Sequence, residues 1–220
     1  MNKSESVKGF FPDSAFVSRE TWDRLELYAD LVRKWQVSFN LISPNTLPVL
    51  WERHVLDSLQ LFRLERKPLT WIDMGSGAGF PGLVTAICLR DLDAGWVHLV
   101  ESNNKKAAFL RQVILKTGAR ASVHPFRVES AGPGIDDVQA VSARALASLT
   151  DLLAYCESIA QKNPHLEMWF HKGLDYPEEL RSARDLWGFD LIEHHSLAQD
   201  GSAILHISNL SRKNQAADPS

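Results

Sequence analysis

The chain has 220 residues, 45% of them hydrophobic and 23% charged, a globular balance that excludes a disordered, collagenous or fibrous chain and suits one domain, or one domain with a small extension. The formal net charge is -3 and the pI about 6.2, which argues against a dedicated nucleic-acid binder but leaves room for an enzyme with a local basic patch. No apolar run reaches the roughly 18 residues a membrane-spanning helix needs, and residues 1–6 lack the apolar core of a signal peptide, so the cytoplasm is the expected compartment.

Residues 1–17 show no strong period and read as a loose arm. Ser18 can cap a helix in which Trp22, Leu25, Tyr28, Leu31, Val32 and Trp35 recur at helical spacing. Pro44 and Pro48 bracket a loop, and a second helix is expected over 47–64. Pro68 marks a change of pattern. Strands are then expected over 69–74, 96–100, 121–128, 138–143 and 166–171, and helices over 81–92, 103–117, 148–160 and 177–187. Gly118 stops the helix before it, as a left-handed cap. Two closing strands, over 191–196 and 203–207, have no helix between them, and the polar tail from Arg212 is expected to fray. Cys88 and Cys156 lie in apolar helical patterns without a CxxC pair, so both read as buried, reduced thiols, and no metal site is expected.

Alternating strands and helices argue for a doubly wound α/β fold with a mostly parallel sheet. An antiparallel closing strand after such a sheet resembles the layout of the Rossmann-like methyltransferases that use S-adenosylmethionine (SAM). The expected organisation is an N-terminal helical extension over 1–66, a seven-stranded SAM-dependent methyltransferase domain over 67–210 and a tail over 211–220. Sites in such sheets lie beyond the carboxyl ends of the strands.

The most specific signal is the turn from the first strand into the next helix, Asp73-Met74-Gly75-Ser76-Gly77-Ala78-Gly79-Phe80-Pro81-Gly82. Four glycines there let a ligand approach the backbone closely. Gly77 to Gly82 fits GxGxxG, and Glu101 stands where a dinucleotide's acidic ribose ligand would be, so a nicotinamide dinucleotide is a competitor. Two features favour SAM: Asp73, two residues before the first glycine, which resembles the first methyltransferase motif, and the closing strand pair. Glu101 at the end of its strand suits the ribose of either cofactor.

Several further segments occur in one order: Arg53-His54-Val55-Leu56-Asp57-Ser58, the glycine loop, Glu101-Ser102 with Lys105-Lys106-Ala107-Ala108-Phe109-Leu110-Arg111, Arg127-Val128-Glu129, Ser142-Ala143-Arg144-Ala145-Leu146, and Lys172-Gly173. Together they resemble the RsmG (GidB) family of bacterial 16S ribosomal RNA guanine-N7 methyltransferases, from about Trp35 to Lys172. The resemblance implies a SAM cofactor, and a substrate that is 16S rRNA or a small-subunit assembly intermediate, methylated at guanine 527 in the 530 loop. It places Asp73, Gly75, Ser76, Gly77, Phe80, Glu101, Ser102, Val128, Glu129 and Arg144 at the cofactor, and Arg53, Arg144 and Lys172 at the RNA. No membrane partner is expected, and the chain is expected to act as a monomer. Family members often carry Gly-Glu-Arg-His-Leu before the last strand, where this chain has Gln199-Asp200-Gly201-Ser202-Ala203-Ile204-Leu205, so that segment's role stays open.

The same charged residues have plainer readings. Arg53 and Asp57, four apart on a helix, fit a weak surface ion pair. His54 fits a satisfied histidine, and Lys105, Lys106 and Arg111 fit a solvated helix face or a local basic patch. Phe80 fits either a stacking platform for a base or a plug against the cofactor or helix. Arg144, in an apolar setting, needs a partner. No convincing general acid or base is present, which agrees with attack by guanine N7, a lone pair with no proton to lose. Methylation of another RNA, a protein or a small molecule, or SAM binding without catalysis, remains an alternative.

Overall fold

The computed structural model describes residue 11, residues 16–130 and residues 134–213. Most of the expected arm, and the tail beyond 213, lie outside the described residues. Phe11, Phe16 and Val17 are described and buried, Phe11 and Phe16 meeting edge to face with centroids 5.2 Å apart, so the arm is not loose there.

Among the described residues the first helix, α1, is Arg19–Gln36, and its cap is Ser18, whose side chain accepts from Thr21 N. Asp91 latches the same helix start, accepting from Ser18 Oγ at 2.7 Å and Thr21 Oγ1 at 2.8 Å. The stretch expected as one helix over 47–64 is three pieces: a 3-10 turn Pro44–Val49, a π-helical segment Trp51–Leu56 and α2, Asp57–Leu64. Pro48 lacks an N–H and interrupts regular helix at its start. β1, Thr70–Met74, leads through the glycine loop into α3, Gly82–Cys88, which tightens into a 3-10 turn at Leu89–Leu92. β2 is Trp96–Val100, and α4, Asn104–Thr117, is capped by the Asn103 side chain and ended by Gly118 at φ 64°.

β3 covers only Ala121–His124, shorter than expected, because Pro125 cannot extend the ladder; the chain turns and forms a 3-10 turn at Val128–Ser130. β4 is Ala140–Arg144, α5 Leu149–Lys162, β5 Glu167–Lys172 and α6 Tyr176–Leu186. β6, Trp187–His195, follows α6 without a loop, so Trp187, expected as the helix end, and residues 188–190, expected as a connection, are strand. β7, Ala203–Arg212, is twice its expected length, and Arg212 pairs with Trp187 instead of fraying.

The strands form one seven-stranded sheet in the order β3-β2-β1-β4-β5-β7-β6. The pairs from β3 to β5 are parallel, and β7 runs antiparallel to both its neighbours. Side chains alternate between two cores, as the strand period of two requires. Trp71, Val97, Leu99 and Trp169 face a core shared with α1 to α4, while Ile72, Val100, Val141 and Phe170 face one shared with α5 and α6. The N-terminal helices are therefore part of one core layer. Cys88 and Cys156 are free and buried. No helix among the described residues is long and apolar enough to cross a membrane.

Candidate active site

β1 delivers the glycine loop to the carboxyl edge of the sheet, and hydrogen bonds pin the loop down. Ser76 N donates to Val100 O at 2.9 Å, and Ser76 Oγ donates to Asp73 O at 2.9 Å. From the other side, Tyr28 Oη of α1 donates to Ala78 O at 2.6 Å. Two glycines are required for opposite reasons. A Cβ on Gly82 would stand 2.5 Å from Asp73 Oδ2 and 2.6 Å from Leu99 Cδ2, so Gly82 permits helix-to-strand contact. A Cβ on Gly77, at φ +57°, would meet only Gly75 O at 3.7 Å, so this backbone is bare toward open space.

That space is a cavity of about 580 Å³, within the range of small-molecule sites. The loop residues Gly75, Ser76, Gly77 and Phe80 line it, with Glu101 and Ser102 from the end of β2, Val128 and Glu129 from the turn after β3, and Arg144 from the end of β4. Arg53 reaches it from the π-helical segment. Glu101 binds the loop as well as facing the cavity: Oε2 accepts from Gly77 N at 2.8 Å and Oε1 from Asn103 N at 2.7 Å.

Asp73 and Lys172 are not in this lining. Asp73 is buried behind the loop, where Ser142 Oγ donates to its Oδ1 at 2.6 Å. Burial pushes its pKa up to about 6 against the pull of hydrogen bonds from Ser142, Ser76 and Gly82. It braces the β1–α3 corner rather than facing the cavity. Lys172 is buried too, its Nζ donating to Glu179 Oε2 at 2.6 Å and Ala147 O at 2.8 Å. Two of its three N–H donors are thus taken within the protein. Phe80 is only 6% exposed, packed between Tyr28 and His54 with ring centroids 5.0 Å away in both cases, which makes it a plug and not an open platform.

Asp57 does not form the expected surface pair with Arg53. The expected pairing assumed α-helical spacing, but residues 51–56 have the wider π turn, in which positions four apart no longer align. Asp57 is instead buried, with Oδ2 3.3 Å from Arg144 Nη1 and 3.8 Å from His171 Nε2, while Ser196 Oγ donates to Oδ1 at 2.8 Å. Arg144 Nη2 donates to Arg53 O at 2.7 Å. The partner that an arginine in so apolar a stretch needs is thus supplied by the N-terminal segment.

Other lining residues carried little signal in the sequence. His54 bonds through Nε2 to Thr46 Oγ1 at 2.9 Å, and burial, helped by the Arg144 and Arg53 charges, pulls its pKa down to about 3. It is a neutral imidazole at physiological pH. Lys106 and Arg127 add positive charge to the wall, so a basic surface is concentrated here despite the acidic total. Lys106 was visible only as part of a basic helix face, and Tyr155 of α5 sits in an ordinary helical pattern that carries no mark of a site. Arg53, Arg144 and Ala145 also line a second, smaller cavity of about 260 Å³.

The family model for rRNA small subunit methyltransferase G matches residues 21–208. Ribosomal RNA small subunit methyltransferase G of Rhizobium meliloti (strain 1021) is 54% identical over 198 residues, covering 90% of this chain and 93% of that protein. The protein of the same name from Sinorhizobium fredii (strain NBRC 101917 / NGR234) is also 54% identical, over 90% of this chain and 92% of its own. Solved structures share the fold at low identity. A mutant of MtNAS in complex with S-adenosylmethionine has a TM-score of 0.55 at 15% identity, covering 93% of this chain and 83% of that one. A ribosomal protein L11 methylase from Lactobacillus delbrueckii subsp. bulgaricus has 0.54 at 18%, covering 71% and 78%.

Proposed function

The chain belongs to the rRNA small subunit methyltransferase G family and is a SAM-dependent methyltransferase; we propose that it methylates N7 of a guanine in 16S ribosomal RNA, the guanine at position 527 of the 530 loop. The observation that carries the reading is the cavity lined by the bare Gly77 backbone, the Glu101 carboxylate and a half-buried Arg144 anchored at the Arg53 carbonyl.

The residues present fit the cofactor. The left-handed Gly77 leaves room for a ligand against the backbone, and Glu101 is a carboxylate at the strand end, suited to a pair of ribose hydroxyls. Gly75, Ser76, Gly77, Phe80, Glu101, Ser102, Val128 and Glu129 are the residues we assign to holding it, with Asp73 supporting the loop from behind. When bound, SAM supplies an electrophilic methyl carbon.

The nucleophile, guanine N7, carries a lone pair and no proton, so no side chain is required to act as a general base. Neutral His54 fits this chemistry, since it adds no positive charge beside a purine ring that is acquiring one. What the chain contributes is position: Arg144, fixed by Asp57 and the Arg53 carbonyl, is a rigid donor for the guanine O6. N7 is inaccessible in the deep, narrow major groove of A-form RNA, so the target is a guanine splayed from a loop. Arg53, Lys106 and Arg127, which line the cavity, are the cations we assign to the RNA backbone. Lys172 acts indirectly, by holding Glu179 and the Ala147 carbonyl beside the β4 loop. Action as a monomer on ribosomal RNA or a small-subunit assembly intermediate is part of this proposal. Deleting the gene and mapping 7-methylguanosine in 16S rRNA tests the reading: the mark in the 530 loop disappears and returns with the wild-type gene. Its persistence in the deletion strain would refute the assignment.

A further inference from the structure

The second cavity opens beside Arg144, between the end of β4, the end of β5 and the 196–203 segment. Four buried polar atoms of its lining residues make no hydrogen bond within the protein: Arg144 Nη1, His171 Nδ1, Gln199 Oε1 and Ser202 Oγ. Arg144 Nη1 is near Asp57 Oδ2 but not aligned to bond it. Proteins rarely bury polar atoms without partners, because such atoms forfeit their hydration, and four around one cavity mark a place built for a polar guest. Lys172 and Glu179 also line it and are bonded to each other through Lys172 Nζ and Glu179 Oε2.

The free atoms have definite roles. Arg144 Nη1 only donates. Burial favours a neutral His171, and its Nε2 lies 3.3 Å from the Asp57 carbonyl, an acceptor, so Nε2 carries the proton and Nδ1 offers a lone pair. Gln199 Oε1 accepts, and the Ser202 hydroxyl does either. These four atoms therefore offer one cationic donor and two acceptors, with a hydroxyl that adapts.

Guanine has the complementary edge: O6 accepts, while N1–H and the 2-amino group donate. O6 also stands between N7 on one side and N1 on the other. Arg144 lines both cavities. A guanine with O6 on Arg144 turns N7 toward the cofactor cavity and its N1–H and 2-amino group into the second cavity. Adenine would set an amino donor against the Arg144 donor. We propose that this second cavity is the guanine-recognition pocket, in which His171, Gln199 and Ser202 read the N1–H and 2-amino edge of the target base. This rests on the guanine-N7 reading above and adds the residues that choose the base.

The test uses small-subunit particles reconstituted with guanosine or inosine at the target position, inosine lacking only the 2-amino group. Wild-type protein is expected to show kcat/KM about tenfold or more lower on inosine, the scale of one lost base-edge contact. Gln199→Leu, which removes the amide acceptor and keeps the bulk, is expected to be about tenfold or more slower on guanosine and to lose the preference over inosine. Its SAM affinity by calorimetry should match wild type, because Gln199 does not line the cofactor cavity. Ser202→Ala, a smaller change, runs in parallel and should weaken the same preference without altering SAM binding. Equal wild-type rates on the two particles, or full discrimination kept by both variants, overturns the pocket alone. Absence of any transfer by the wild type to the guanosine particle overturns the functional reading and the pocket with it.

Discussion

Two alanine substitutions in one loop separate the work of the glycines. In Gly82→Ala the new methyl stands 2.5 Å from Asp73 Oδ2 and 2.6 Å from both Asp73 Cγ and Leu99 Cδ2. Those neighbours belong to β1 and β2 in mid-sheet and have little room to move, so the cost lies at the upper end of overpacking, about 3 kcal/mol. For a chain of this size that lowers Tm by about 6–12 °C. In Gly77→Ala the methyl meets nothing closer than Gly75 O at 3.7 Å, and only the left-handed φ of +57° is penalised, by about 1 kcal/mol and a few degrees. That methyl, however, covers the backbone we assign to the cofactor, so SAM affinity is expected to fall about tenfold or more, a loss of at least about 1.4 kcal/mol. Thermal unfolding without ligand reads the first effect, and calorimetric SAM titration reads the second. A Gly82→Ala protein as stable as wild type, or a Gly77→Ala protein that binds SAM normally, would refute this division of roles.

Glu101→Ala removes charge-assisted bonds to the Gly77 and Asn103 amides, each worth about 1.5–3 kcal/mol, and should weaken SAM binding about 10–100-fold by calorimetry; unchanged affinity contradicts the assignment. Asp57→Ala leaves Arg144, whose side chain is only 13% exposed, without its counter-charge, at a cost of about 3 kcal/mol and a Tm drop of about 10 °C; a shift of under about 2 °C would show that Arg144 finds another partner. The Asp73 carboxyl titrates near pH 6 instead of 3.8, so it binds its proton more tightly folded than unfolded. Its contribution to stability is whole below about pH 4 and lost as pH rises through about 6, amounting to about 3 kcal/mol at about 1.4 kcal/mol per decade. A carbon-detected NMR titration of that carboxyl gives the midpoint, and a value near 4 refutes the argument.

What the sequence makes legible is what repeats locally or permits only one residue type. Trp71 and Ile72 alternate between two cores, and Ser18, Asn103 and Ser148 cap the helices that follow them. The glycine loop is explicit because three of its residues need positive φ and Gly82 admits no side chain. Arg144's need for a partner was visible, but its anchor, the Arg53 carbonyl, is 91 positions away and exists because the chain departs from α-helix at 51–56. No helical periodicity registers a π segment one turn long. Lys172 reads as free in sequence and is spent on Glu179, seven residues on, because α6 folds back over the end of β5. The second cavity gathers atoms from β4, β5 and the segment before β7, where Gln199 and Ser202 follow no pattern that marks them.

The central claim is most directly tested by transfer of labelled methyl from SAM to purified small subunits that lack the mark, followed by nucleoside analysis and mapping. The account predicts close to one methyl per particle, recovered as 7-methylguanosine in the 530 loop of 16S rRNA, and none on particles already modified there. Label in protein, in another nucleoside, or nowhere under conditions where the protein binds SAM would contradict it.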